Sequence, residues 1–479
     1  MTQLLRHPSS PALSTHPDIA SHLPPAANDV LALIGNTPLV KVSRMDTGLC
    51  ELYLKLESQN PAGSIKDRIA LSMIAAAERD GLLKPGGTLV EATAGNTGLG
   101  LALVAGQKGY KLVLVIPDKM SQEKIFHLRA LGAEVIITRS DVGIGHPEYY
   151  QDMAQRIATE RGAFYVNQFN NPNNPATHER TTGPEIWAQM EGRMDAMVVG
   201  VGSGGTLTGL GRYFRRVAPQ VQMVLADPKG SILAPLVNEG VTVPAGSWLV
   251  EGIGEDFVPK NCDLDLVAEA YSISDEESIG TARQLLEQEG ILCGSSSGTL
   301  LAAALRYCRQ QTSPKRVVTL VCDSGNKYLS KIYNSYWLDD HGFLPHQATH
   351  DLRDVIARPY TTQRAITVLP SETLQSAYRK MKMHDVSQLP VMGDGKLLGV
   401  ITEMDLLVAV MGNADGFQIR IGEVMARQLR TVPVSTPVQD LLPLFDQGLV
   451  VMVTDGADFL GLITPIDVLQ YLRKRLGHA

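Results

Sequence analysis

Residues 60–81 read "NPAGSIKDRIALSMIAAAERDG", and the lysine in this stretch is badly placed for an ordinary surface charge. An Asn-Pro turn and a small Ala-Gly-Ser run lead into a helix with apolar residues at three- and four-residue spacing. Lys66 falls in the first turn of that helix, where a cation opposes the dipole. One reading is a solvated helix lysine, with Ser64 as a helix cap. The other is a lysine held in a cleft, its pKa lowered, able to form a Schiff base with an aldehyde. The sequence downstream bears on the choice.

The runs "KLVLVIP" (111–117), "AEVIIT" (133–138), "AMVVGVG" (196–202), "QMVLADP" (222–228) and "RVVTLVCD" (316–323) read as buried parallel strands. Helical segments such as "SQEKIFHLRALG" (121–132) lie between them, which predicts an α/β fold with a parallel sheet covered on both faces. Two Gly-rich strand-to-helix turns predict two lobes with a cleft between them. Past residue 345 the chain repeats itself: "LLGVITEMDLL" (397–407) aligns with "FLGLITPIDVL" (459–469), and Ala357-Arg358 with Ala426-Arg427. Each copy reads as a β-α-β-β-α unit too small to bury a core alone, so the two are expected to pack as a pair. The expected organisation is a flexible tail over 1–28, a two-lobed domain over 29–345 and a paired module over 346–479.

Composition narrows the function classes. A chain of 479 residues with 44% hydrophobic and 19% charged residues describes a soluble globular protein of two or three domains. A formal net charge of −7 gives no reason to expect nucleic acid or an anionic membrane as partner. There is no apolar run of about 18 residues for a membrane span and no signal peptide in the Pro- and Ser-rich N-terminus. The five cysteines, Cys50, Cys262, Cys293, Cys308 and Cys322, are scattered, which argues against a disulfide framework or a metal site. The expected location is cytoplasmic.

Three more segments carry chemistry. In "EATAGNTGLGLAL" (91–103) a strand end meets a helix through Thr93, Ala94, Gly95, Asn96, Thr97 and Gly98, and the backbone N–H groups of such a turn bind a carboxylate or phosphate. Thr97 also reads as a plain N-cap. In "GVGSGGTLTGLGRYF" (200–214), Gly202, Ser203, Gly204, Gly205 and Thr206 open a helix and allow close approach of a phosphate. The Walker ending is absent, and so is the acidic residue of a dinucleotide site. In "VCDSGNKYLS" (321–330), Ser324 follows a buried strand and reads as a cap or as a ligand group at a strand C-terminus.

Taken in order, "GNTPLV" (35–40), "NPAGSIKDR" (60–68), "TAGNTG" (93–98), "GSGGT" (202–206) and "DSGNK" (323–327) resemble the signature of the β-family, fold type II, pyridoxal-phosphate enzymes. The resemblance covers about residues 29–345, and within the family is nearest to the cystathionine β-synthases and O-acetylserine sulfhydrylases. It implies pyridoxal 5′-phosphate as cofactor, with Lys66 bonding its aldehyde and then moving the substrate's Cα proton. It also implies that Asn96 meets the cofactor's ring oxygen, Gly202 to Thr206 its phosphate and Ser324 its ring nitrogen. Thr93, Ala94, Gly95, Thr97 and Gln168 would take the amino acid's carboxylate, and Glu251 the amino group of a second substrate. A neutral hydroxyl at the ring nitrogen suits elimination and replacement better than transamination.

The implied reaction is a β-replacement that joins L-serine to L-homocysteine, with release of hydrogen sulfide from cysteine as a side activity. "DPKGS" (227–231) and "EGIGEDF" (251–257) look like the synthases, whereas "NQFNNPNNP" (167–175) looks like a sulfhydrylase using O-acetylserine and sulfide. Phe169 and Glu255 stand where the synthases of eukaryotes carry tyrosine, and Ala94 stands in place of a common serine. No haem is expected, because the first 49 residues hold no cysteine and His7 and His16 lie in a polar tail.

The C-terminal copies resemble a pair of CBS domains, a class that binds adenosyl ligands. Thr402 with Asp405, and Thr464 with Asp467, are the candidate ligand residues; T-x-x-D before an apolar run is equally a capping pattern. A homodimer or larger homo-oligomer is expected. The reading from a different class is an adenosyl-sensing binding protein with a vestigial active site, which the joint presence of Lys66, Asn96 and Ser324 opposes.

Overall fold

The computed structural model describes residues 26–475 apart from 94, 119–121, 144, 345–347, 363 and 448. Most of the tail expected over 1–28, with His7 and His16, lies outside the described residues. The chain divides into two compact units, Met1–Ile332 and Tyr333–Ala479.

Among its described residues the first unit contains ten strands: β1 (Leu39–Lys41), β2 (Glu51–Leu56), β3 (Thr88–Ala92), β4 (Lys111–Pro117), β5 (Glu134–Thr138), β6 (Phe164–Tyr165), β7 (Ala196–Val199), β8 (Gln222–Pro228), β9 (Glu269–Ile273) and β10 (Arg316–Val321). They form two sheets, of order β5-β4-β3-β6 and β1-β2-β10-β7-β8-β9. Among these described strands only β1 runs antiparallel, against β2. The five apolar runs read as strands are β4, β5, β7, β8 and β10, each parallel to a neighbour. Continuous apolar runs of this kind suit strands buried on both faces.

This topology gathers the motifs. Because β7 and β10 are parallel neighbours, the turns after them, residues 200–206 and 322–324, emerge at one end of the larger sheet. The turn at residues 93–98 leaves the C-terminal end of β3 in the smaller sheet. Open parallel sheets meet their ligands at strand C-termini.

The helix Lys66–Arg79 buries Ile69, Ala70, Met73, Ile74, Ala76 and Ala77, a stripe at helical spacing. It packs on the helix Asn96–Lys108, where a Cβ on Gly100 would lie only 3.0 Å from the Lys66 carbonyl oxygen. A side chain there would push apart the two helices that carry Lys66 and Asn96.

The second unit repeats one motif with different completeness. The first copy has the helix Leu374–His384, β11 (Gln388–Gly393), β12 (Lys396–Thr402) and the helix Glu403–Val410. Its opening strand is reduced to a bridge between Val368 and Val391. The second copy has a true opening strand, β13 (Thr431–Pro433), then β14 (Val451–Asp455), β15 (Asp458–Ile463) and the helix Pro465–Arg475. Its first helix is only Leu442–Phe445, in a segment that carries Pro443 and is followed by Gly448. Met392, Met452 and Phe459 share one apolar cluster, so the two copies meet through their strands. The helix Ser335–Asp340 belongs to this unit, held by Arg473 on Asp340 at 2.9 Å.

Candidate active site

Lys66 is presented by a loop tied at both ends. Asp67 Oδ2 accepts the Ala62 N–H at 2.6 Å, and Ser64 Oγ accepts the Lys66 N–H at 3.2 Å. The loop is strapped to the end of β10, since Ile65 N–H donates to the Cys322 carbonyl at 2.9 Å and Ser324 N–H to the Gly63 carbonyl at 3.0 Å. One residue along the helix, burial pushes the Asp67 carboxyl up to about 6. Next to it, Arg68 is buried between Glu57 and Glu185, with bonds of 2.7 and 2.8 Å to the first and of 2.7 Å to each oxygen of the second.

Lys66 differs from its neighbours. Among the described residues its half-buried amine makes no hydrogen bond or ion pair, and burial lowers its pKa against the opposing fields of Cys322, Asp323 and Glu255. A lysine left unpaired in such a place adds nothing to stability and fits a group held for a ligand.

The turn after β3 faces this loop. Gly95 N–H donates to Thr93 Oγ1 at 3.3 Å, and the helix begins at Asn96 without a side-chain cap. Thr97 is not a cap: its hydroxyl donates to Gln168 Oε1 at 2.7 Å. The Gln168 carbonyl is held by Asn174 at 2.9 Å and Asn261 at 2.8 Å. Behind it the Glu91 carboxyl takes the backbone N–H groups of Asn167, Gln168 and Ala92, and burial pushes it up to about 8. Ala94 lies outside the described residues. Asn96 donates from Nδ2 to Asp323 Oδ2 at 2.8 Å and accepts from Lys327 at 2.7 Å.

The third segment is the turn after β7. Ser203 and Thr206 are buried at the start of the helix Gly205–Val217, whose first N–H groups lack intrahelical acceptors. A Cβ on Gly205 would meet Asn174 Oδ1 at 1.8 Å, so the cradle excludes side chains. Thr206 Oγ1 lies 3.3 Å from His178 Nε2. His178 is held well below its ordinary pKa by burial, with Lys66 and Arg68 adding to the effect. Glu255 lies on the other side, its Oε1 4.0 Å from where a Gly202 Cβ would stand. Burial, then Asp256 and Asp227, pushes Glu255 up to about 8.

Two expected residues are already engaged. Ser324 Oγ accepts the Asn326 N–H and caps the short turn Gly325–Lys327. Glu251 carries ion pairs to Lys124 and, at 2.7 Å, to Lys331. The residues missed by sequence reasoning are the supporting ones: Glu91, Asn174, Asn261, Asp323 and Lys327. Of these all but Asn261 stand inside a quoted motif, and their identity gave no sign of their partners.

The donor set suits pyridoxal phosphate: a free lysine amine of lowered pKa, a phosphate cradle of backbone N–H groups with two hydroxyls, and an amide and a hydroxyl on converging loops. In the second unit, Thr402 and Asp405 form a reciprocal capping box. Thr464 donates to Asp467 Oδ2 from its N–H at 2.7 Å and from its hydroxyl at 2.6 Å.

The chain matches the family model "Pyridoxal-phosphate dependent enzyme" over residues 30–323 and the CBS domain model over 352–412 and 421–474. It is 36% identical to a cystathionine β-synthase of Apis mellifera over 93% of this chain and 91% of that one. It is 42% identical to cysteine synthase 1 of Neurospora crassa, over 66% of this chain and 86% of that one. Among solved structures, a hydrogen sulfide-producing enzyme from Fusobacterium nucleatum superposes with a TM-score of 0.59 at 37% identity, covering 64% of this chain and all of that one. The chain belongs to the pyridoxal-phosphate-dependent enzyme family and carries a tandem pair of CBS domains; it is a β-replacement enzyme that uses pyridoxal 5′-phosphate.

Proposed function

We propose that this member of the pyridoxal-phosphate-dependent family condenses L-serine with L-homocysteine to give L-cystathionine. The observation that carries the reading is that its likeness to cystathionine β-synthases runs through both the catalytic unit and the CBS pair. Pyridoxal phosphate, when bound, supplies the sink for the electron pair left at the amino acid's α-carbon. Lys66 would hold the cofactor at its aldehyde, and its Nζ would take the substrate's α-proton; its burial lowers the cost of the neutral amine this requires. The substrate carboxylate would be taken by the turn of Thr93, Gly95 and Thr97, with the Thr93 hydroxyl and the Thr97 backbone N–H as donors, and by the amide of Gln168, whose Oε1 is held by the Thr97 hydroxyl. Gly202 to Thr206 would hold the phosphate, Asn96 the ring oxygen, and Ser324 the ring nitrogen. Glu251, fixed by ion pairs to Lys124 and Lys331, is the candidate for the amino group of the second amino acid.

A second reading, cysteine synthesis from O-acetylserine and sulfide, is favoured by Phe169. Its ring packs on Phe257 at 5.9 Å and offers no hydroxyl of the kind the eukaryotic synthases carry there. A mass-spectrometric product assay separates the readings: serine with homocysteine should yield cystathionine. Turnover of O-acetylserine with sulfide alone would overturn the first.

For the CBS pair we propose an adenosyl ligand. Both cap bonds at each Asp fall on Oδ2, which leaves Oδ1 of Asp405 and Asp467 for a ribose hydroxyl. The exposed apolar residues Met404, Val408, Ile466 and Leu469 on the adjoining helices suit assembly with a second copy. Among the described residues no helix is long and apolar enough to cross a membrane.

A further inference from the structure

The contacts of Lys327 are not explained by the motif in which it stands. Its ammonium lies 2.7 Å from Asn96 Oδ1, 3.1 Å from the Ala62 carbonyl oxygen and 3.3 Å from that of Gly63. All three acceptors are neutral, so this is not a salt bridge. The lysine joins three segments: the loop leading into Lys66, the start of the helix bearing Asn96, and its own turn after β10. On its other side Asn96 donates to Asp323 Oδ2, which also accepts the Tyr328 hydroxyl at 2.7 Å.

A primary amide has one acceptor oxygen and two N–H donors. With an ammonium on Oδ1, the Asn96 amide cannot turn over without setting its NH2 group against a cation. One Nδ2–H is then committed to Asp323, and the other is free. We propose that Lys327 is a positioning residue of the active site, fixing the Asn96 amide so that its free Nδ2–H is presented to the cofactor's ring oxygen. This rests on the reading of Asn96 as a cofactor ligand. A charge-assisted bond to Oδ1 also polarises the amide and strengthens its N–H as a donor. Burial draws the Lys327 pKa down, with Lys124 adding to the effect, while Asp323 and Asp67 work against it and favour the ammonium.

The test compares holoenzyme carrying Lys327→Met, Lys327→Gln, Lys327→Arg, Asn96→Ala and the Lys327→Met/Asn96→Ala pair. The readouts are the visible absorption band of the bound cofactor, the cofactor dissociation constant and the melting temperature. Lys327→Met and Lys327→Gln should move the band toward the near-ultraviolet and weaken cofactor binding about tenfold, the scale of one lost charge-assisted hydrogen bond. Lys327→Arg should restore the band, and the pair should be no worse than Asn96→Ala, since both changes cut one chain of contacts. A lower melting temperature with an unchanged band and dissociation constant would make Lys327 purely structural and overturn the proposal. So would full additivity in the pair. If Asn96→Ala alone changes neither band nor affinity, the cofactor-site reading of Asn96 falls, and this proposal with it.

Discussion

The helix that starts at Glu403 is closed by its own side chains, whereas the helix that starts at Lys66 has a cation at its first position and no side-chain cap. In the CBS pair, Thr402 and Asp405 each take a backbone N–H of the other, and Thr464 and Asp467 repeat much of the arrangement. Those ends need nothing further. In the catalytic unit the N-cap residues before Lys66, Asn96 and Gly205 make no side-chain bond, although Ser64 Oγ takes the Lys66 N–H. Helix starts left uncapped, as at Asn96 and Gly205, cost stability unless something is bound there, and the same openness makes them fit to bind it. Arg68 shows that the catalytic unit can saturate a cation when it needs to: two residues past the unpaired Lys66, its guanidinium meets two carboxylates.

The contrast is broken most severely at Lys66. Lys66→Ala should lower β-replacement turnover by about a thousandfold or more, the scale of a lost proton-transfer group, while leaving the melting temperature of the cofactor-free protein nearly unchanged. Borohydride reduction followed by peptide mapping should trap cofactor on residue 66 of the parent protein and nowhere in the variant. Trapping at another lysine would remove Lys66 from its role.

A second, smaller effect lies behind the substrate turn. The Glu91 carboxyl is raised from an ordinary 4.5 to about 8, so the folded protein holds this proton more tightly than the unfolded chain does. Its contribution is therefore complete below about pH 4.5, falls as the pH rises, and is lost by about pH 8. Relative to Glu91→Gln, the parent protein should lose a few kcal/mol across that window, read as the pH dependence of the difference in melting temperature. A flat difference would mean that Glu91 is ionised throughout.

The smallest effect belongs to the closed ends. Thr402→Ala should cost about 1 kcal/mol, the usual value of a helix cap, seen as a lower melting temperature of the C-terminal unit with basal turnover unaffected. If the loss is much larger, or if an added adenosine nucleotide stabilises the parent and not the variant, the threonine does more than cap.

Much of the catalytic fold was legible because its strands are continuous apolar runs: β4 and β8 begin and end where "KLVLVIP" and "QMVLADP" do. β6 went unread because it is only Phe164–Tyr165, too short to show any period. The β-α-β-β-α repeat was legible from its copied "GVITEMDLL" and "GLITPIDVL" segments, but the loss of a full opening strand from the first copy was not. Residues 64 and 66 could be singled out as a turn and a misplaced cation. That Thr97 serves Gln168 and not its own helix required knowing that residues 71 apart are adjacent.

The sequence by itself determined the order of elements, the Gly-rich strand-to-helix turns and the chemical identity of the candidate groups, because hydrophobic period, glycine placement and side-chain chemistry are local properties. Only the tertiary structure decided which polar groups are spent and which are free. Lys66 and Lys327 have the same side chain, yet one amine is unpartnered and the other holds two carbonyls and an amide. That difference arises from packing between segments more than 200 residues apart, where burial removes water and each remaining partner is fixed by the fold.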